Sequence, residues 1–251
     1  MARIITEETT LKNVVGSLEK ESSVLGGIWK YELYFGVGAS LFGLAIGFFY
    51  NSWGIAIVGG VAFFLGISHY FKRSDNTANI GRFQYGAAGE ATVTEMLKSG
   101  LPDTYMIMND VTIKAGTSKA QNDHIVLGPN GIFVIETKAY SGTLSGKADD
   151  DYLDQVKEYK GKKTENKIKN PVPQNEYHLD VVKRKMQEGE FAVDDLHSII
   201  VFTNRYARIR IEGSKVPLLK PEMICVTIKN TVSKFTYDEE WLKRLASFLL
   251  A

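Results

Sequence analysis

The sequence predicts an α/β or α+β domain on a mixed sheet, carried behind a pair of transmembrane helices. Three observations predict it. No charged residue occurs between positions 33 and 68. From position 83 onward, strand-type and helix-type patterns interleave without a regular βαβ period. Two alternating apolar runs, 123–127 and 132–138, flank the turn cluster Gly128-Pro129-Asn130-Gly131, which is the pattern of a β-hairpin.

A chain of 251 residues has room for one large or two small domains. Its net charge of +1 sets up no global field to draw in a polyanion. Cys225 is the sole cysteine, which excludes an internal disulfide and a cysteine-based zinc site. His69, His124, His178 and His197 lie far apart, without metal-ligand spacing.

In order along the chain, residues 1–32 are mixed polar and charged. Leu11, Val14, Val15 and Leu18 fall at helical spacing, so a short amphipathic helix at a membrane surface is expected; no signal-peptide pattern is present. The transmembrane hairpin occupies 33–72, dividing at Asn51-Ser52 into spans 34–50 and 53–71, each about as long as a membrane crossing requires. Tyr31, Tyr34, Tyr50, Trp53 and Tyr70 sit at the ends, where aromatic belts belong. Two spans place both flanks on one side, and Lys72, Arg73 and Arg82 assign that side to the cytoplasm of an inner membrane. Ala39, Gly43 and Gly47 recur every four residues, a small-residue face suited either to packing within the hairpin or to homo-oligomer formation. Residues 73–82 read as a polar linker.

The soluble domain, 83–251, opens with a helix over 83–98 that Gly100 stops. A strand at 105–113 precedes the hairpin, and 142–146 is a tight turn or short strand. The charged stretch 149–169 reads as partly helical. Pro171 and Pro173 introduce a helix over 174–187, strands follow at 197–202, 207–211 and 223–228, and a helix over 238–250 closes the chain, capped by Asp238 with Glu239 and Glu240 in its first turn.

Strand side chains alternate between faces. Glu136 and Lys138 therefore share a face with Ile132 and Val134, while Phe133, Ile135 and Thr137 take the other. A four-residue loop sets Asp123 opposite Glu136; a two-residue Asn130-Gly131 loop sets it opposite Lys138. Both loops are even, so either register keeps Asp123, Glu136 and Lys138 on one face. Opposed carboxylates repel, and a hard cation such as Mg²⁺, which takes one or two carboxylates plus water and substrate phosphate, would supply the missing charge. The plainer alternative is a solvated strand end carrying a Glu–Lys pair.

An ordered set of short motifs resembles the nuclease-related domain (NERD) family. It comprises Gly86-Ala87-Ala88-Gly89-Glu90, Leu101-Pro102, Asn109-Asp110-Val111, Asp123-His124, Gly131 through Lys138, and Asn170-Pro171-Val172-Pro173-Gln174. The likeness covers roughly 81–202 and none of the membrane part. It implies the PD-(D/E)xK nuclease superfamily, with a restriction-endonuclease-like mixed sheet flanked by helices. By that resemblance Asp123 and Glu136 match the metal-binding pair, and Lys138 the lysine that orients water or stabilises developing charge. Glu90 matches an additional acid near the metal, and Gln174 a polar residue facing the site. Glu90 has a plainer reading as a carboxylate favoured near a helix N-terminus, Gln174 as a helix starter, and His124, on the opposite face, as a core or supporting residue.

The function expected is that of a membrane-anchored, cytoplasm-facing nuclease using Mg²⁺ or Mn²⁺ on nucleic acid, DNA ahead of RNA, foreign DNA in antiviral defence included. A catalytically silent scaffold that binds nucleic acid or protein partners at the membrane is the alternative. Six lysines against three acids at 154–169, and five basic residues against one acid at 205–220, offer phosphate contacts, with Tyr152, Tyr159 and Tyr206 available to stack on bases.

Overall fold

The computed structural model describes residues 1–6, 10–50 and 53–251, without the side chains at 10–12, 50 and 54. The expected division at Asn51-Ser52 and the side chains of Leu11 and Tyr50 therefore lie outside the described residues. The chain forms two units: Met1–Thr9 with Gly86–Ala251, and Thr10–Tyr85.

The second unit is an antiparallel helical pair. Helix α1 spans Thr10–Tyr50 and helix α2 spans Gly54–Gly100, the last turns of α2 belonging to the first unit. Both are long and apolar enough to cross a membrane. At 1.5 Å per residue they run for roughly 60 and 70 Å, about twice a hydrocarbon core of ~30 Å. In their apolar parts Phe42, Phe48, Phe49, Ile57 and Phe64 stay exposed, a poor arrangement for a helix meeting water.

Glycines let the two backbones approach. A Cβ on Gly43 would overlap the Ala56 backbone, one on Gly36 would meet Phe63, and one on Gly59 would reach Ala39 and Ser40. A Cβ on Gly47 would lie 2.7 Å from Trp53 Cε3. The face of Ala39, Gly43 and Gly47, expected to serve either hairpin packing or self-association, is thus taken up inside the hairpin, and self-association would need another surface. Gly43→Ile is expected to open the hairpin, whereas Gly38→Ile, where a Cβ meets nothing within 4 Å, should be tolerated. Protease resistance of the helical pair in detergent distinguishes the two; equal resistance would contradict this packing.

The polar linker expected at 73–82 is helical, because α2 runs unbroken through it. Polar side chains in and beside it are matched by the polar start of α1: Lys72 pairs with Glu21 at 2.6 Å, Asn76 donates to Glu21 at 3.0 Å and Gln84 to Glu19 at 3.1 Å. The amphipathic helix expected near the N-terminus is the beginning of α1 rather than a separate element.

In the first unit a six-stranded mixed sheet runs β1-β2-β3-β4-β8-β10. Its strands are β1 (Arg3–Thr6), β2 (Met106–Ala115), β3 (Ser118–Gly128), β4 (Gly131–Lys138), β8 (Leu196–Phe202) and β10 (Leu218–Leu219). The central β2-β3-β4 meander is antiparallel, while β1 joins β2, and β8 joins both β4 and β10, in parallel. Strand β1 was not expected from sequence. It places the chain before the hairpin and the chain after it in one unit. Helices α3 (Pro171–Glu188) and α5 (Glu239–Leu249) cover one face over Ile132 and Val134. The last turns of α2 and helix α4 (Ile224–Asn230) cover the other over Phe133 and Ile135.

A second sheet, β7-β6-β5-β9, is built from β5 (Thr143–Lys147), β6 (Tyr152–Tyr159), β7 (Lys162–Lys169) and β9 (Arg208–Glu212). The stretch expected to be partly helical, 149–169, is instead a β-hairpin. Lys160 and Gly161 take φ of 50° and 75° between the closing pair Tyr159↔Lys162, the positive angles a tight two-residue hairpin turn demands. The strand expected at 223–228 is helical, entered through a 3-10 turn at Pro221–Met223. A short apolar run does not by its pattern separate a strand from a buried helix.

Candidate functional site

The hairpin closes with Gly128 opposite Gly131 and Leu127 opposite Ile132, which continues to Asp123 facing Glu136. Asn130 holds the turn: Tyr105 donates to its Oδ1 at 2.9 Å, and its Nδ2 donates to the carbonyls of Ile228 and Thr231 at 2.7 and 3.0 Å. Between Asp123 and Glu136 the ladder is completed by a side chain, because Asp123 Oδ2 accepts from Thr137 N at 2.7 Å.

Glu136 is 1 % exposed and surrounded. Its Oε1 accepts from Lys138 Nζ at 2.5 Å and from Gln174 Nε2 at 2.7 Å. Its Oε2 lies 3.2 Å from His178 Nδ1, off the line of a hydrogen bond, so both buried atoms are without hydrogen-bond partners among the described residues. Gln174 and His178 stand one turn apart on α3 and face the same carboxylate. Helix α3 is fixed by two asparagines. Asn170 caps it by accepting from Val172 N at 3.1 Å and donates to the carbonyl of Asp150 at 2.7 Å. Asn175 donates to Val134 O, Ser198 Oγ and Ile199 O at 2.9–3.1 Å.

The two acids are driven apart electrostatically. Burial, then the charges of Glu136 and Glu90, hold the Asp123 carboxyl well above the ordinary range, against the opposing pull of Lys138 and Thr137 N. Burial would raise Glu136 as well, but the His178 imidazole and the Lys138 ammonium outweigh it and the net shift is downward. Burial would likewise lower Lys138, yet Glu136, Tyr140 and Asp123 raise it. Without a cation the site thus opposes ionisation at Asp123 while favouring a carboxylate at Glu136 and an ammonium at Lys138.

On the opposite face His124 is fully buried and its pKa is lowered to about 4, chiefly by desolvation. Its Nδ1 is 2.8 Å from Asn109 Oδ1 and its Nε2 3.1 Å from Thr137 Oγ1. Since the amide oxygen accepts, Nδ1 carries the proton and Nε2 accepts from the Thr137 hydroxyl. His124 thereby supports the residue whose N–H holds Asp123.

Of the residues singled out in the sequence, Asp123, Glu136, Lys138 and Gln174 come together, and Glu90 lies near enough for its charge to act on Asp123. Thr137 contributes its backbone N–H, which holds Asp123. His178 was missed, although its place four residues after Gln174 on a helix is a signal the sequence carries. Among the described residues no three His, Cys, Asp or Glu side chains form a ready metal cage, so Glu90 does not close a three-ligand set. Two carboxylates suit Mg²⁺, which keeps several waters, and the orphaned Glu136 Oε2 beside a carboxyl whose ionisation burial and like charges oppose fits a divalent cation. A separate surface hollow of about 400 Å³, bordered by Arg3, Asp103, Pro129 and Tyr237, shares no residue with this site.

Residues 85–203 match the family model of the nuclease-related domain, NERD. That span holds all five expected site residues and His178. An uncharacterized protein of Bacillus anthracis is 40% identical over 62 residues, which cover 24% of this chain and 29% of that protein. No solved structure matches. The match supports a nuclease-related domain over 85–203, and the helical pair up to residue 84 lies outside it.

Proposed function

We propose that this protein is a membrane-anchored, metal-dependent nuclease that hydrolyses phosphodiester bonds of nucleic acid, with a restriction-endonuclease-like core. The observation that carries the proposal is the acidic pair on one face of the hairpin, half-buried Asp123 facing buried Glu136, with Lys138 Nζ and Gln174 Nε2 both donating to one oxygen of Glu136. Asp123 and Glu136 would hold Mg²⁺ or Mn²⁺, with Glu90 on an outer position. A bound cation would supply charge to the phosphate and a water of lowered pKa. Gln174 and Lys138 fix one oxygen of Glu136 and leave the other to bind. Lys138, kept protonated, is an electrostatic partner for the developing phosphorane or the leaving oxygen and not a general base.

The exposed apolar helices suit a bilayer, and Lys72, Arg73 and Arg82 favour a cytoplasmic domain at an inner membrane. Because β1 and the rest of the sheet share one unit, the chain must leave and return on the same side. DNA entering the cell, phage DNA included, would then be within reach. One feature favours the scaffold alternative: among the described residues no three His, Cys, Asp or Glu side chains form a ready metal cage. The deciding experiment incubates the detergent-purified protein with supercoiled plasmid, single-stranded DNA and RNA in Mg²⁺ or Mn²⁺, beside Asp123→Ala and Lys138→Ala. Cleavage is expected in the wild type alone, together with a metal-dependent rise in its melting temperature. Absence of both on all substrates would favour the scaffold.

A further inference from the structure

Residues 203–207 join β8 to β9 at the same end of the sheet as Lys138. Phe202 pairs with Lys138 and Thr203 N donates to Lys138 O at 3.0 Å. The root of the loop also abuts the helix that bears Glu90, since a Cβ on Gly89 would lie 2.7 Å from Thr203 Oγ1. Whatever the loop holds is therefore held beside the acidic pair.

The loop is braced rather than slack. Asn204 Oδ1 accepts from Tyr206 N at 2.9 Å, and Ala207 N donates to Asn204 O at 3.1 Å. From beneath, Lys220 Nζ donates to the carbonyls of both shoulders, Asn204 at 2.6 Å and Ala207 at 3.0 Å. An ammonium spent on two backbone carbonyls fixes a shape. What that shape displays is Arg205 and Tyr206. The tyrosine is 67% exposed, the guanidinium lies 4.5 Å over one face of its ring, and Arg205 Nη2 donates to its hydroxyl. Strand β9 then carries Arg208 and Arg210 on one face, both exposed and roughly 6.6 Å apart along the strand. None of the three arginines makes an ion pair among the described residues, whereas Lys163 and Lys167 of β7 are neutralised by Glu165 and Asp154.

An acidic peptide would use the arginines but has no need of an exposed, pre-oriented ring. Nucleic acid uses both, since aromatic side chains stack on bases whatever their identity and guanidinium groups take the phosphates. A duplex keeps its base faces covered, so the ring can be used only by an unpaired nucleotide.

We propose that the 203–207 loop seats an unpaired nucleotide next to the scissile phosphate, with its base on Tyr206 and its phosphates on Arg205, Arg208 and Arg210, which makes single-stranded nucleic acid the preferred substrate. The proposal rests on the nuclease reading. It is tested in the full-length, detergent-purified Asp123→Asn protein by fluorescence anisotropy with a labelled single-stranded oligonucleotide and its duplex. Tyr206→Ala is expected to weaken single-strand binding by roughly 5- to 100-fold, as loss of one stacked base does, with little effect on the duplex. Tyr206→Trp should restore it, and Arg208→Gln should reduce the salt dependence by about one phosphate's share, ~0.7 in slope. Equal or no weakening of the two substrates by Tyr206→Ala would overturn the proposal. If wild-type protein nevertheless cuts nucleic acid in an Asp123-dependent way, the nuclease reading survives that result; if it neither binds nor cuts any nucleic acid, both fail.

Discussion

Replacing Asp123 by asparagine is expected to abolish cleavage and, at the same time, to make the metal-free protein more resistant to heat. The loss follows from removing one of two carboxylates that hold the cation. Charge stabilisation of a phosphoryl group by a metal is worth several kcal/mol, and each 1.4 kcal/mol is a factor of ten, so a fall of about 10³-fold is expected. The gain has a separate origin. Folding carries the Asp123 carboxyl into a site where burial and the charges of Glu136 and Glu90 oppose its ionisation, and an amide of the same shape can still accept from Thr137 N. A carboxyl whose folded pKa is raised favours the native state below its unfolded pKa and loses that advantage as pH climbs through the folded value. The stabilisation by Asp123→Asn should therefore be present at neutral pH and vanish below about pH 4, where both proteins carry a neutral group. Each kcal/mol relieved raises the melting temperature by roughly 2–4 °C in a chain of this size. Saturating Mg²⁺ or Mn²⁺ should reverse the order by stabilising the wild type alone. A variant less stable than wild type at neutral pH without metal would contradict the electrostatic account.

The largest loss of stability is expected at Asn175. This side chain is fully buried and its amide nitrogen bonds to β4 and β8 together. Asn175→Ala strands two strand carbonyls and a serine hydroxyl, each costing about 1–3 kcal/mol when left unpaired. A total of about 3–5 kcal/mol, or a melting temperature lower by roughly 6–20 °C, is expected. Asn175→Asp should be at least as damaging despite its matching shape, because it buries a carboxylate against the carbonyls of Val134 and Ile199 and leaves only the Ser198 hydroxyl able to donate to it. Thermal melts of both variants, read with cleavage, provide the check; a mild Asn175→Asp would show that volume, not donation, is what the site requires. Either change also loosens the helix that presents Gln174 and His178 to Glu136.

Much of the site was legible without coordinates because strand alternation is a local property. Glu136, Lys138 and Asp123 had to share one face for either even loop, and the Asp238 cap and the start of α3 at the proline pair were likewise written in neighbouring residues. His178 escaped notice because its relation to Glu136 crosses from helix to strand. The 149–169 stretch was misread because charge density suggested helix, while the turn at Lys160-Gly161 decided otherwise. Strand β1 was hidden because four residues carry little pattern of their own and become a strand only by pairing with β2.

By itself, the sequence determined the helical pair with its uncharged stretch at 33–68, the β-hairpin and the face on which its acids and lysine lie, since hydropathy and a period of two need no distant contact. Only the tertiary structure decided which register the hairpin takes, through Asn130 binding the end of α4. It also decided that the Asp123 carboxyl is shifted up while that of Glu136 is shifted down, since that depends on burial and on neighbours from α2, β4 and α3. It brought the two basic stretches into one sheet, leaving the arginines of β9 without ion pairs among the described residues while Lys163 and Lys167 of β7 are neutralised. The physical reason is the same in each case: local pattern fixes which way a side chain points, and long-range packing fixes what it meets there.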